Sequence, residues 1–148
     1  MSTGIEQYVE FVVSEERYAV KISLIQEIIK MQDITAVPNV RPYIKGVINL
    51  RGKVVPVISL RKLFHMEEQE ETKLSRIIVV NHREEAVGML VDKVNKVTTF
   101  SDIQPPPDRL GAVSGAYLVG IGMSAEGIAG ILEMEQVLLK EDGAVEHF

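Results

Sequence analysis

The sequence predicts a mainly β protein: two small five-stranded barrels packed together, with short helical segments between strands. Three observations carry this. Apolar residues make up 46% of the chain, yet aromatics are only 5% and Trp is absent. Val and Ile must therefore build the core, and β-branched side chains suit a pleated surface better than a helix. Residues 46–60, GVINLRGKVVPVISL, set two β-branched runs around Arg51-Gly52-Lys53, which reads as a hairpin. Finally, the order of elements repeats, and moving Ala19, Val20, Ile22, Ile25 and Ile28 forward by 69 positions gives Gly88, Met89, Val91, Val94 and Val97. A kept spacing of buried-type positions with changed identities points to a structural repeat.

The elements follow in order. Residues 1–5 read as a loose leader. Tyr8 to Val13 is a strand, 14–17 a turn, and Tyr18 to Ile22 a second strand. In 23–30 the apolar residues Leu24, Ile25, Ile28 and Ile29 fit one or two helical turns, with Ser23 as N-cap and Gln26 completing a capping box. The β-branched content fits a bent strand equally well. Residues 34–37 are short and extended, and Pro38 and Pro42 punctuate a loop. In the hairpin, Gly46 and Gly52 are turn-forming, and Pro56 must sit at a bulge or on a free edge because it cannot donate. Residues 61–64 close the first half as a helical turn. Residues 65–73, HMEEQEETK, are an acidic linker whose carboxylates repel and bury nothing.

The second half runs strand 76–80, turn 81–85, strand 86–91, a mixed segment 92–100 and a proline loop 104–108. Strands at 117–121 and 127–132 flank a Gly-rich turn. Residues 133–139 form a short helix or strand, and the polar tail after Lys140 is expected to fray. The barrels are expected at approximately 14–72 and 73–140, with strand 8–13 a candidate for sharing between them.

The same residues exclude much chemistry. A net charge of −5 without a basic run argues against nucleic acid and against an anionic membrane surface. There is no Cys, hence no disulfide, thiolate nucleophile or Cys-ligated metal. His65, His82 and His147 lie in separate polar segments and read as solvated. Neither a nucleophile elbow nor a phosphate-binding glycine loop is present. No apolar run approaches the ~18 residues of a membrane helix, and no signal peptide is visible. The expectation is a cytoplasmic interaction module with no catalysis, no cofactor and no metal.

The run YIKGVINLRGKVVPVISLRKLF (43–64) resembles the signature segment of the CheW family of bacterial chemotaxis coupling proteins, matching at Ile44, Gly46, Asn49, Leu50, Arg51, Gly52, Pro56, Leu60 and Arg61. The resemblance continues through 8–30, 76–97 and 117–122, so 1–148 reads as a single CheW-like domain. It implies two intertwined SH3-like barrels and an adaptor that links the cytoplasmic tip of methyl-accepting chemoreceptors to the histidine kinase CheA. It implies a receptor groove at Ile25, Glu27, Ile28, Ile34, Asn49, Arg51, Gly88, Val94 and Val97, an apolar floor with Glu27 and Arg51 setting register at the rim. A barrel-end contact with the kinase's regulatory domain falls at Gln104 and Arg109, where some relatives carry a cation and an aromatic instead.

Ile22, Ile28, Val91 and Val97 suit a plain core as well as a site. Arg51 stands apart, because its turn needs Gly52 and not a guanidinium; its charge is expected to face a partner. Competing readings keep the fold in a non-flagellar pathway, or assign a small-ligand barrel or an enzyme, which a deep polar pocket would favour. A CheV-type adaptor would require a receiver domain after Leu139, where only a tail follows.

Overall fold

A computed structural model describes residues 5–139. The strands are β1 Tyr8–Val13, β2 Glu16–Lys21, β3 Ile25–Lys30, β4 Ile44–Leu50, β5 Lys53–Ser59, β6 Arg76–His82 and β7 Glu85–Val91, followed by β8 Lys93–Thr98, β9 Asp102–Gln104, β10 Arg109–Leu110, β11 Val113–Ser114, β12 Leu118–Ser124 and β13 Gly127–Leu132. Helix α1 is Leu60–Leu63 and α2 is Met134–Leu139. The leader's first residues, the tail and His147 lie outside the described residues.

The strands form two SH3-like barrels, and the barrels are not the two halves of the sequence. One sheet has the order β8-β1-β2-β13-β12-β9 and the other β3-β6-β7-β5-β4, beside a two-stranded β10-β11 ribbon. The first has six strands, not five. Each barrel takes the opening hairpin of one half and the later strands of the other. The boundaries 14–72 and 73–140 are therefore corrected, and β1 pairs only within the six-stranded sheet, with β2 and β8. Burial periodicity reports which face of a strand is covered and is silent on which half supplies the neighbour.

The repeat is kept in register. Phe11 pairs with Val94 and Tyr18 as Val80 pairs with Ile25 and Val87. Val9 faces Val97 as Ile78 faces Ile28. The register skips Asn95 in β8 and Gln26 in β3, so both crossing strands carry the same bulge. Residues 23–30 resolve as a 3₁₀ turn, Ile22–Leu24, followed by β3, and Ser23 caps nothing. The mixed segment 92–100 contains β8, its counterpart. Residues 133–139 resolve as helix α2.

Gly46 permits a close crossing: a Cβ there would stand 2.2 Å from the Thr35 carbonyl oxygen, where Thr35 bridges Val47. Pro56 pairs Val47 on one side, while the β7 ladder on the other begins only at Val57, so no donor is missed. Ser59 caps α1, its hydroxyl accepting from the Lys62 N–H at 3.2 Å.

The largest core lies between the sheets, where Phe11, Tyr18, Ile58, Phe64, Ile78 and Met89 meet Val137 and Leu138 of α2. The five-stranded barrel has its own interior of Ile48, Leu50, Val55, Val57, Ile77 and Val79. The six-stranded barrel buries a smaller cluster of Tyr8, Ala19 and Ile131 against Phe100. The acidic linker buries more than expected. Met66 packs on the shared core. Arg61 donates to the Glu67 carbonyl at 2.8 Å and to Gln69 Oε1 at 3.3 Å. Its stem is an extension of α1, and only its carboxylate-rich middle is fully solvated.

Candidate interaction site

The β4–β5 turn is Leu50-Arg51-Gly52-Lys53, with φ 51° at Arg51 and 86° at Gly52. Positive φ at both central positions is the geometry that matches strand twist in a two-residue hairpin. Gly52 adopts it freely, whereas Arg51 does so at a steric cost. Asn49 locks the turn: its Oδ1 accepts from the Gly52 N–H at 2.9 Å, and its carbonyl accepts from Gln32 Nε2 at 3.1 Å.

Arg51 has an internal partner, which corrects the expectation that its charge serves only an outside one. Its Nη1 donates to Glu27 Oε1 at 3.2 Å and its Nη2 donates to Glu27 Oε2. Gln26 Nε2 also donates to Glu27, at 3.3 Å. The Arg51 hydrogen bond holds the Glu27 carboxyl below its ordinary 4.5, and Glu27 in turn raises Arg51. Glu27 lies on β3 and Arg51 at the end of β4, the two outer strands of the five-stranded sheet. Their pair therefore clasps that barrel shut. It remains exposed, and the 65% exposed Val54 lines the same cleft as Arg51.

The structure thus gathers Glu27, Asn49 and Arg51 around one clasp, while Ile28 pairs Ile78 of the shared core and turns to the other face of the sheet. Ile34 is half-buried against the interior of the same barrel. Ile25 and Val94 are half-buried against the shared core, one from each crossing strand. Val97 is exposed but sits on β8, in the other sheet. Gly88 is buried, and a Cβ there would stand 2.7 Å from Ile77 Cγ2, so its part is close strand packing. Gln104 is exposed on the outer strand β9, bonded to Asp102, while Arg109 is exposed on the separate β10-β11 ribbon, 3.4 Å from the Ala112 carbonyl. Arg109 borders a shallow cavity with Phe64, His65, Tyr117 and Gln136.

Sequence reasoning missed three polar groupings. Lys96 on β8 pairs with Glu126 in the β12–β13 turn, and Lys96 holds the Glu126 carboxyl down. This is the repeat image of Glu27–Arg51 with the signs exchanged, flanked by exposed Val97 and Ile128. The 69-residue shift carries Glu27 onto Lys96 but Arg51 onto Gly120, so it could have found only one member of the pair. Buried Glu10 accepts from Asn95 Nδ2 at 2.8 Å and lies 3.7 Å from Arg17 Nε. Arg61 donates twice to Asp92, at 3.1 and 2.6 Å, and Asp92 also accepts from the Ser14 N–H at 2.8 Å. Another correction concerns His82: its side chain is 9% exposed, 4.0 Å from Glu135, and is not solvated.

Two interlocked barrels with a charged clasp and an exposed aliphatic residue beside it define a protein-interaction module. Comparison with known proteins agrees. The family model described as CheW-like domain matches residues 7–142. The chain is 38% identical to the chemotaxis protein CheW of Bacillus subtilis over 143 residues, covering 95% of this chain and 91% of that one. It is 34% identical to chemotaxis protein CheW of Helicobacter pylori, covering 91% and 82%. The crystal structure of scaffolding protein TtCheW from Thermoanaerobacter tengcongensis superposes with a TM-score of 0.84 at 32% identity, covering 93% of this chain and 90% of that one. The chain belongs to the CheW-like family of chemotaxis coupling proteins.

Proposed function

We propose that the chain is a non-catalytic adaptor in the cytoplasm that couples the helical-hairpin tips of methyl-accepting chemoreceptors to the histidine kinase CheA and needs no cofactor. The observation that carries the receptor half of this reading is the clasp: an exposed, permanently charged guanidinium and a carboxylate, fixed in orientation, with exposed Val54 lining the same cleft as Arg51. A helical partner can lay an apolar stripe on Val54 and set its register by exchanging charges with the clasp. The kinase's regulatory domain is assigned the barrel end around Gln104 and Arg109. Among the described residues no helix is long and apolar enough to cross a membrane, so the receptors would supply the membrane link.

Titration against a receptor-tip fragment and against the kinase regulatory domain tests this. Arg51→Ala is expected to weaken receptor binding about tenfold or more, as at an interface hot spot, and to leave kinase binding unchanged. The double variant Glu27→Arg, Arg51→Glu restores the internal pair but reverses the charges a partner meets. It should keep the wild-type melting temperature and still fail to bind receptor. Receptor binding at wild-type strength by the swapped protein would make the clasp purely structural and sink the assignment.

A further inference from the structure

Every pairing that builds the sheets beyond their hairpins and the β9 edge joins the first half of the chain to the second. β1 pairs β8, β2 pairs β13, β3 pairs β6 and β5 pairs β7. The crossing strands β3 and β8 pair with no named strand of their own half. Four polar contacts cross the same divide, Asn95 to Glu10, Arg17 to the Glu126 carbonyl, and Arg61 and Ser14 to Asp92, while the two clasps, Glu27–Arg51 and Lys96–Glu126, each lie within one half. The covalent tie between the halves is the 65–73 segment, with Glu67, Glu70 and Glu71 exposed.

We propose that each half is the other's binding partner, and that a second copy of this chain can supply it. Two chains exchange halves through residues 65–73 and form a dimer with two complete cores. Such a dimer keeps every pairing above and alters only the linker path, which is what makes exchange a low-cost route to association. The match is specific for unlike halves. Were β3 of a first half to take the place of β8 beside another first half's β1, Glu10 would face Glu27 where it now faces Lys96. Arg61 would meet Ser23 where it now meets Asp92. A buried carboxylate against a carboxylate, and a guanidinium without its anion, disfavour that assembly. The acidic run acts as a guard. Exchange brings two copies of Glu67, Glu68, Glu70 and Glu71 to the crossing, where they repel at neutral pH and low ionic strength.

The test uses the full chain. Protein unfolded in urea is refolded at micromolar and at millimolar concentration, in low and in high salt, and sized by chromatography with light scattering. The expected result is monomer when dilute, and a dimer fraction that rises with concentration and with salt and melts where the monomer melts. Isotopically heavy and light chains refolded together should give mixed dimers by native mass spectrometry. As a second arm, a protease site inserted between Glu70 and Glu71 is cut in the folded protein, and the two pieces should co-elute as one particle. Monomer under all refolding conditions, dimer formed equally well by protein never unfolded, or separation of the cut halves would each overturn the proposal.

Discussion

Arg51 shows how one side chain can hold two jobs. Its backbone stands in the left-handed region, which a hairpin tip demands, and its guanidinium closes the barrel onto Glu27. The turn itself was legible, because Asn49, Gly52 and the β-branched flanks are local. The clasp was not, because its partners are 24 positions apart in the chain. Glu27 titrates below its ordinary value, so the stabilisation from the pair is complete above 4.5 and is lost as pH falls through the lowered folded value. Carboxyl chemical shifts should give a Glu27 midpoint below 4.5 in the wild type and a higher one in Arg51→Ala; an unmoved midpoint would mean that the guanidinium is not its cause. The same backbone reasoning applies to Ser14 and Glu15, and to Arg83 and Glu84, which hold positive φ without glycine in the turns of the two opening hairpins. Glu15→Gly relieves that strain against a smaller loss of chain entropy. It should raise stability by up to about 1 kcal/mol in urea titration; unchanged or lower stability would mean that Glu15 is not strained.

At the scale of elements, the sequence reported strands and hairpins well and their partners poorly. β3 and β8 were ambiguous or mixed because their apolar residues fall three apart in the sequence, at Ile25 and Ile28 and at Val94 and Val97. The bulges at Gln26 and Asn95 insert one extra residue into each strand, and a simple period of two does not describe that. What fixes the crossing is polar. Asp92 stands between β7 and β8 and receives Arg61 from α1 and Ser14 from the first turn. The Arg61 side chain is 10% exposed. Removing its anion leaves a largely buried cation, so Asp92→Ala should cost about 2–3 kcal/mol, the partial exposure of Asp92 reducing the full buried-pair penalty. Equilibrium unfolding in urea measures it, and a loss no larger than that of an exposed surface substitution would reduce the node to decoration.

For the whole molecule, the repeat was readable and its assembly was not. Apolar positions 69 apart fall on equivalent strands, so two related barrels followed from the pattern. That the halves interlock is a statement about neighbours, and one sequence carries no record of those. Interlocking has a thermodynamic signature. Phe64 stacks between Tyr18 and Tyr117, with centroids 5.9 and 5.5 Å apart, in a core common to both sheets. Neither barrel can lose its strands without emptying that core. Unfolding should therefore be a single two-state transition, with calorimetric and van't Hoff enthalpies equal and hydrogen exchange reporting one global opening for β2 and β6 alike. Two resolved transitions would mean that the barrels melt independently.

The sign exchange between the clasps gives the molecule a compass. Apart from the β9 edge and the β10–β11 ribbon, its backbone is nearly indifferent to being turned end for end, since the hairpins, bulges and crossing strands of the two barrels come in twins. Glu27 and Lys96 are not indifferent, nor are Arg51 and Glu126. A binder that recognised contour alone would find two equivalent seats facing opposite ways. One that also carries charge finds a single matching seat, because the reversed pose sets like against like. A fold built by duplication keeps its economy of form, and four side chains are enough to tell north from south.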